Sequence, residues 1–170
     1  MKVRFVASIL FTFLLTGFAQ GQQRKQVQWK EYVYPDDGFA LTLPSPPSIN
    51  ESPALPGATA YAIYSESDDS GFVLRVMHKK GNCASAIAKL KESVLSGNNA
   101  SIDRSSVKEP SFDGNRGLEY MFKRNTTVAI DRLYCLNERL YYFTVNWPSG
   151  RPIPAAATRM LNSFRLVQQP

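Results

Sequence analysis

Short segments of alternating apolar and polar residues, separated by turn sequences, fill most of the chain after residue 28. The clearest pair spans residues 29–43, where two runs of strand-forming residues flank a Pro-Asp-Asp-Gly turn at 35–38. Proline fixes φ, aspartate hydrogen-bonds its own backbone and glycine accepts positive φ, so this tetrapeptide favours a tight reversal. The segment predicts a β-hairpin, which the prolines in 44–47 end because proline cannot donate to a sheet ladder.

The same alternation predicts a second hairpin from strands at 58–65 and 72–78, with a proline-punctuated loop at 49–56 before it. Further strands are predicted at 105–112, 117–123, 126–136 and 139–147. Because strands that follow one another through short turns usually pair, these segments predict an antiparallel sheet.

The hydrophobic period changes to three or four residues over 83–96, which predicts an amphipathic helix. Asn82 is the expected N-cap, and Gly97 stands where a helix C-terminus favours glycine. A second, shorter helix is predicted at 155–163. The fold class is therefore α+β, an antiparallel β-sheet flanked by two helices that bury their apolar stripes against it.

The first 21 residues are typical of a cleavable signal peptide. Lys2 and Arg4 precede an apolar run at 5–18, and small residues at 19 and 21 precede the expected cleavage point. The run is short for a membrane span, and no cysteine lies near the cleavage point, so neither a membrane anchor nor a lipid anchor is expected. We expect an exported protein, periplasmic or secreted, with a flexible segment at 22–28 and one domain at 29–170.

Charge and composition favour an ordinary soluble surface. Without residues 1–21 the chain has 18 basic and 14 acidic side chains, a net charge of +4. The basic residues are scattered as singles and pairs, whereas a nucleic-acid surface would cluster them with aromatic residues on one face. No nucleic-acid partner is therefore expected.

Two cysteines, Cys83 and Cys135, remain after processing. An even number in an exported protein favours a disulfide between them, and two separate buried thiols are the alternative. The spacing fits neither a redox CxxC motif nor a cluster of metal ligands.

Catalytic constellations are absent from the sequence. His78 is the only histidine, which excludes a multi-histidine metal site, and no GxSxG, HExxH or Walker-type motif accompanies it. We interpret His78 as a rim residue without an evident partner. We therefore expect that the chain is not an enzyme, and we assign no catalytic residue, cofactor or metal ligand.

Acidic residues offer two weaker possibilities. The pairs at 36–37 and 68–69 lie in turn sequences and lack the spacing of a calcium loop, so turn chemistry explains them. Asp131, Glu119 and Asp103 could supply an acid–base pair in a cleft, although separated carboxylates occur in any chain of this size.

Aromatic residues gather in the last two predicted strands. Alternation places Tyr141, Phe143 and Trp147 on one face, which we interpret as core, and Tyr142 on the other. Tyr142 together with Tyr134 could line an exposed face or a pocket, and the two are candidate partner-binding residues.

Two stretches of the chain resemble the PsbP/DcrB-like superfamily. They are YPDDGFALTLP at 34–44, similar to the family's opening "y…p.dgFsl.lP", and RLYYFTV at 139–145 followed by LNSFR at 161–165. The resemblance implies an exported or organellar α/β/α sandwich and the style of a non-catalytic interaction protein. It implies structural roles for Gly38 in the turn and for Phe39 and Phe164 in the core.

The leading hypothesis is a non-enzymatic protein that binds or supports another envelope or secreted component. A small-ligand carrier with a cavity between the sheet and the helix at 83–96 is one alternative, and an unrecognised hydrolase is another. A shallow surface with exposed aromatic residues would favour the first, an enclosed apolar pocket the second, and a perturbed carboxylate or His78 at the base of a wet cleft the third.

Overall fold

The computed structural model describes residues 27–66, 69–78, 83–97 and 101–168. In order, these residues form β1 (Lys30–Tyr34), β2 (Phe39–Leu43), β3 (Ser48–Glu51), β4 (Thr59–Ser65), β5 (Ser70–His78), α1 (Cys83–Ser96), β6 (Ile102–Lys108), β7 (Ser111–Phe112), β8 (Asn115–Arg116), β9 (Leu118–Arg124), β10 (Thr127–Leu136), β11 (Arg139–Pro148), α2 (Ala155–Asn162) and β12 (Arg165–Leu166).

A seven-stranded sheet, the large sheet, organises the fold, with the strand order β3-β4-β5-β11-β10-β9-β6. Its neighbouring strands are antiparallel. Strands β1, β2 and β12 form a separate three-stranded small sheet. The small sheet and α2 pack on one face of the large sheet, and α1 packs on the other. The expected fold class, α+β with antiparallel strands and two helices, is confirmed.

The main core lies between the large sheet, the small sheet and α2. Alternate residues of β5 and β11 point into it, and Phe39 of the small sheet and Phe164 after α2 are buried there as well. The rings of Phe164 and Phe143 meet edge to face with centroids 5.0 Å apart. The core assignment of Tyr141, Phe143 and Trp147 is confirmed, since each is at most 3% exposed.

A second core lies under α1. Ile87 and Val94 of the helix are buried against Leu118, Tyr120 and Leu133 of β9 and β10. A disulfide joins Cys83, the first residue of α1, to Cys135 of β10, with the two Cα atoms 5.6 Å apart. The structure thus agrees with the expected cysteine pairing, and the bridge fixes the start of the helix over the sheet.

Some sequence predictions were wrong in detail. The expected loop at 49–56 contains β3, an edge strand whose residues Ser48–Glu51 are all exposed. An exposed edge strand buries neither face, so it shows no apolar alternation, and backbone pairing with β4 alone defines it. The expected strand at 105–112 divides into β6 and β7, and the register of β6 shifts between Asp103 and Lys108. The short strand β12 was not predicted.

Several expectations concern residues outside the described ranges. The signal peptide at 1–21, residues 22–26 of the expected flexible segment, Asn82 and Asp68 lie there. Within the described ranges, neither helix is long and apolar enough to cross a membrane.

Candidate functional site

A buried carboxylate on the α1 side of the large sheet forms the centre of the candidate site. Asp131 lies in the middle of β10, opposite Tyr120 of β9 and Thr144 of β11, and is 3% exposed. Tyr142 donates to Oδ2 of Asp131 at 2.6 Å and Tyr120 donates to the same oxygen at 3.1 Å. Thr144 donates to Oδ1 at 2.9 Å. Both carboxylate oxygens are therefore satisfied, as a buried charge requires.

Arg75 of β5 extends this network across the sheet. Its Nη1 donates to Oγ1 of Thr144 at 2.9 Å, and its Nε donates to Oγ of Ser52 at 3.2 Å. The guanidinium also lies over the ring of Tyr142, with Cζ 5.3 Å from the centroid. The hydroxyl of Thr144 therefore links Arg75 to Asp131, because it accepts a hydrogen bond from Arg75 and donates one to Asp131.

The same burial changes the acidity of the network. Desolvation raises the pKa of Asp131, although the hydrogen bonds from Tyr142, Thr144 and Tyr120 and the charge of Arg75 oppose the shift. Desolvation, followed by the charge of Asp131, raises the pKa of Tyr120 and of Tyr142. Both tyrosines therefore keep their hydroxyl protons and remain donors to the carboxylate.

A polar cleft of about 410 Å³ opens above this network, at the end of the β9–β10 hairpin. Its floor includes Arg75, Asp131 and Thr144, and its rim includes Arg124 and Asn146. Helix α1 contributes no residue to this lining, since it packs over β6, β9 and β10. On the same face of the large sheet, α1 does not cover β4 and β5, and Ala62, Val73 and Arg75 are half-buried there. We call this part of the sheet, together with the cleft, the cleft face.

A second polar cluster joins the two sheets at the other end of β5. Asp37, in the turn after β1, accepts a hydrogen bond from the hydroxyl of Tyr61 at Oδ2, and its Oδ1 lies 2.8 Å from Nε2 of His78. Arg139 donates from Nε to Nδ1 of His78 at 3.3 Å and from Nη2 to the carbonyl of Asp36 at 3.0 Å. The interpretation of His78 as a rim residue fits its 56% exposed side chain, but the absence of a partner was wrong.

The hydrogen-bond geometry defines what these two clusters can do. Because Arg139 donates to Nδ1 of His78, that nitrogen holds the lone pair and Nε2 donates to Asp37. A histidine with both nitrogens engaged has no lone pair to take a proton from a substrate. Asp131 has likewise committed both oxygens to protein donors.

The sequence-predicted site residues do not converge. Tyr134 is paired with Tyr141 and is buried in the main core, whereas Tyr142 lies on the opposite face beside Asp131. The two tyrosines therefore cannot form one partner-binding surface, because opposite faces of a sheet share no side-chain contacts.

The three candidate carboxylates are also separated. Glu119 lies on the sheet face opposite Asp131 and forms an ion pair with Arg132 at 2.6 Å. Asp103 is exposed and accepts from Ser105 on the edge strand β6. Across the described residues, no group of three or more histidine, cysteine or acidic side chains could hold a metal ion.

Sequence reasoning missed Arg75, Thr144 and Tyr120 as members of the site. Each occupies an alternate position of a predicted strand, so its face could be inferred within that strand. Their convergence depends on the order β5-β11-β10-β9, which joins strands distant in sequence. The available signal was the charged Asp131 between Ala129 and Leu133, the apolar residues two positions away on the same face of the strand.

The comparisons with known proteins concern the fold. The sequence matches no protein-family model and no curated protein. The structure is similar to the solution structure of cyanobacterial PsbP (CyanoP) from Synechocystis, with a TM-score of 0.56 and 13% identity over 85% of this chain and 95% of that one.

A crystal structure of a protein from Bacteroides thetaiotaomicron is also similar, with a TM-score of 0.51 and 12% identity. The match covers 82% of this chain and 49% of that one, so the chain spans about half the length of the Bacteroides protein. At such identities the likeness shows the fold alone, and the chain has a PsbP-like fold, as the sequence resemblance implied.

Proposed function

We propose that the chain is an exported, non-enzymatic binding protein that recognises another envelope or secreted component at its cleft face. The observation that carries this proposal is the ordered polar floor of an uncovered sheet face. Arg75 and Asp131 are held there by hydrogen bonds, beside a helix that leaves β4 and β5 open. Side chains fixed before binding lose little entropy when a partner arrives, which favours recognition.

The hydrogen-bond assignments support a role without catalysis. His78 donates to Asp37 and accepts from Arg139, and Asp131 accepts from three hydroxyl groups. Saturated groups of this kind hold structure and present neighbouring donors, whereas a general base needs an accessible lone pair. The hydrolase hypothesis is therefore the less supported one.

A carrier with its cavity between the sheet and α1 also has less support. The interface under the helix is filled by apolar side chains, including Ile87, Val94 and Leu133. The polar cleft lies beside the helix instead, and its lining includes Arg75 and Asp131. Recognition at a surface cleft thus fits the molecule better than storage in an enclosed pocket.

Export is supported by the basic and then apolar sequence of the first 21 residues and by the Cys83–Cys135 disulfide, a bond typical of oxidising compartments. We expect the mature protein to begin near Gln22. Intact-mass analysis of the exported material tests this expectation, and a chain that keeps residues 1–18 outside the cytoplasm would contradict it.

Binding at the cleft face is tested by capture from the envelope fraction with the mature chain and two variants. Ala62→Arg places a long side chain on the half-buried cleft face, whereas Val33→Arg makes the same addition on β1, where Val33 is 48% exposed. We expect Ala62→Arg alone to abolish retention of a component that the unmodified chain retains. Equal retention by all three proteins, each with unchanged far-UV circular dichroism, would refute the proposal.

A further inference from the structure

Among the described residues, no carboxylate forms a direct ion pair with Arg75 of β5. Its three fixed contacts are the hydroxyl of Ser52, the hydroxyl of Thr144 and the ring of Tyr142. Ser52 is itself buried at 1% exposed. Within the described part of the chain, Nη2 of Arg75 makes no hydrogen bond to protein. The guanidinium is thus oriented, and part of its donor capacity remains available to a molecule in the cleft that it lines.

Arg124 adds a second guanidinium to the same cleft. It is exposed at the end of β9 and forms no ion pair with any acidic residue of the described ranges. Among the residues that line the cleft, the acidic one is Asp131, which already accepts three hydrogen bonds from hydroxyl groups. Asp69 lines the adjoining pocket, where it accepts a hydrogen bond from Tyr64. Two guanidinium groups against one buried carboxylate leave the cleft positive even when Asp131 is ionised. Such a field favours an anionic ligand.

The remaining lining indicates what the rest of the ligand carries. Thr126, Thr127, Asn125 and Asn146 contribute hydroxyl and amide groups at the rim. These groups donate and accept hydrogen bonds, so they suit a ligand with several hydroxyl groups. A volume of about 410 Å³ lies at the small end of ligand sites and suits one small unit of a larger molecule.

We infer that this cleft binds a hydroxylated oxyanion, a sugar acid or a sugar phosphate, attracted by the positive charges of Arg75 at the floor and Arg124 at the rim, with the Thr and Asn side chains on the hydroxyl groups. The inference rests on the proposed function in placing recognition at the cleft face, and it names the chemistry that is recognised there. Guanidinium forks match both carboxylate and phosphate oxygens, so the protein chemistry is shared by the two sources.

The test is an amide NMR titration of the mature, disulfide-bonded chain with glucuronate, glucose 6-phosphate and glucose, each to about 10 mM, well above a millimolar Kd. We expect at least one of the charged sugars to shift the resonances of β9, β10 and β11 around the cleft, while glucose leaves them unchanged. Whichever of the two binds more tightly identifies the source of the oxyanion. No saturable shift with either charged sugar, or an equal response to glucose, would overturn the inference.

Variants then locate the site. Arg124→Gln removes an exposed charge without a described ion pair, and we expect it to weaken binding roughly tenfold. Lys123→Gln is the matched control, because Lys123 precedes Arg124 and lies on the opposite face of β9, across from Val128. Equal weakening by both variants would show general electrostatic attraction and overturn the inference. If Ala62→Arg abolishes capture of an envelope component but no charged sugar binds, this inference fails and the proposed function stands. If Ala62→Arg does not affect capture, the proposed function fails, so the two results are distinguishable.

Discussion

The imidazole of His78 and the carboxylate of Asp37 lie 2.8 Å apart, Nε2 to Oδ1, and join the end of β5 to the turn after β1. The pair therefore ties the large sheet to the small sheet. Arg139 completes the link, because it donates to the other nitrogen of His78 and to the carbonyl of Asp36. Asp37 is the buried member at 8% exposed, so the stability of the link depends more on the carboxylate than on the imidazole.

Replacing Asp37 with Ala should lower the free energy of unfolding by about 2–3 kcal/mol, since the buried hydroxyl of Tyr61 loses its acceptor. His78→Ala should lower it by about 1 kcal/mol or less, because its side chain is 56% exposed and the contact is screened by water. Urea unfolding at neutral pH measures both values. A loss at His78 as large as that at Asp37 would contradict this ranking.

A second prediction concerns Gly38, which lies beside Arg139 in the contact between the two sheets. Gly38 has φ +72°, and a Cβ there would collide with Nη1 of Arg139. Gly38→Ala should therefore destabilise the fold by about 2–3 kcal/mol, through backbone strain together with displacement of Arg139. Gly57→Ala is the control, because Gly57 has φ +79° but nothing within 4 Å of the added Cβ. Strain alone, about 1 kcal/mol, is expected there. Equal thermal shifts for the two variants would refute the collision.

The limits of the sequence predictions follow from the range of the interactions. The helix at Cys83–Ser96 was predicted with the bounds that the structure has, because an apolar period of three to four residues is a local pattern. The edge strand β3 was missed because all its residues are exposed and leave no such pattern. The burial of Tyr134 followed from its pairing with Tyr141, a register that local alternation does not specify.

The candidate site shows the same limit more strongly. Asp37 and His78 are 41 positions apart, and Arg75 and Thr144 are 69 apart. Arg75 and Thr144 meet because β11, from the second half of the chain, pairs with β5. Asp37 meets His78 because the small sheet packs on the large sheet. Turn chemistry explained Gly38 correctly, but it could not show that Arg139 would fill the space beside it.

The disulfide should contribute substantially to stability. Cys83 and Cys135 are separated by 52 positions, and closing a loop of that length in the unfolded chain is worth roughly 4 kcal/mol in the chain-entropy model, as an upper figure. The double variant Cys83→Ala with Cys135→Ala should lower the urea midpoint by the same amount as reduction of the unmodified chain. Thiol titration of denatured, unreduced protein should find no reactive thiol, and two thiols per chain would refute the pairing.

The raised pKa of Asp131 makes stability depend on pH with a defined sign. Between its ordinary value of 3.8 and the higher value in the fold, the folded chain binds more protons at this site than the unfolded chain does. Stability at this site is therefore greatest below pH 3.8 and falls as the pH rises through the folded pKa. Asp103 has the opposite effect on stability, because a hydrogen bond from Ser105 lowers its pKa in the fold. Its contribution to stability is therefore present above pH 3.8 and is lost as the pH falls below that value.

Asp131→Asn removes the titration and keeps one oxygen acceptor, whereas the amide nitrogen that replaces the other oxygen cannot accept from a hydroxyl group. That loss is the same at every pH, so it does not affect the pH dependence. Relative to the unmodified chain, this variant should therefore gain stability as the pH rises from about 4 to about 7, since only the unmodified chain pays for ionising a buried carboxylate over that range. Asp103→Asn is the matched control, and its difference from the unmodified chain should stay constant over the same range. Urea unfolding at several pH values measures both differences. A difference for Asp131→Asn that is constant or falls with pH would show that the hydrogen bonds of Tyr142, Thr144 and Tyr120 outweigh desolvation at this carboxylate.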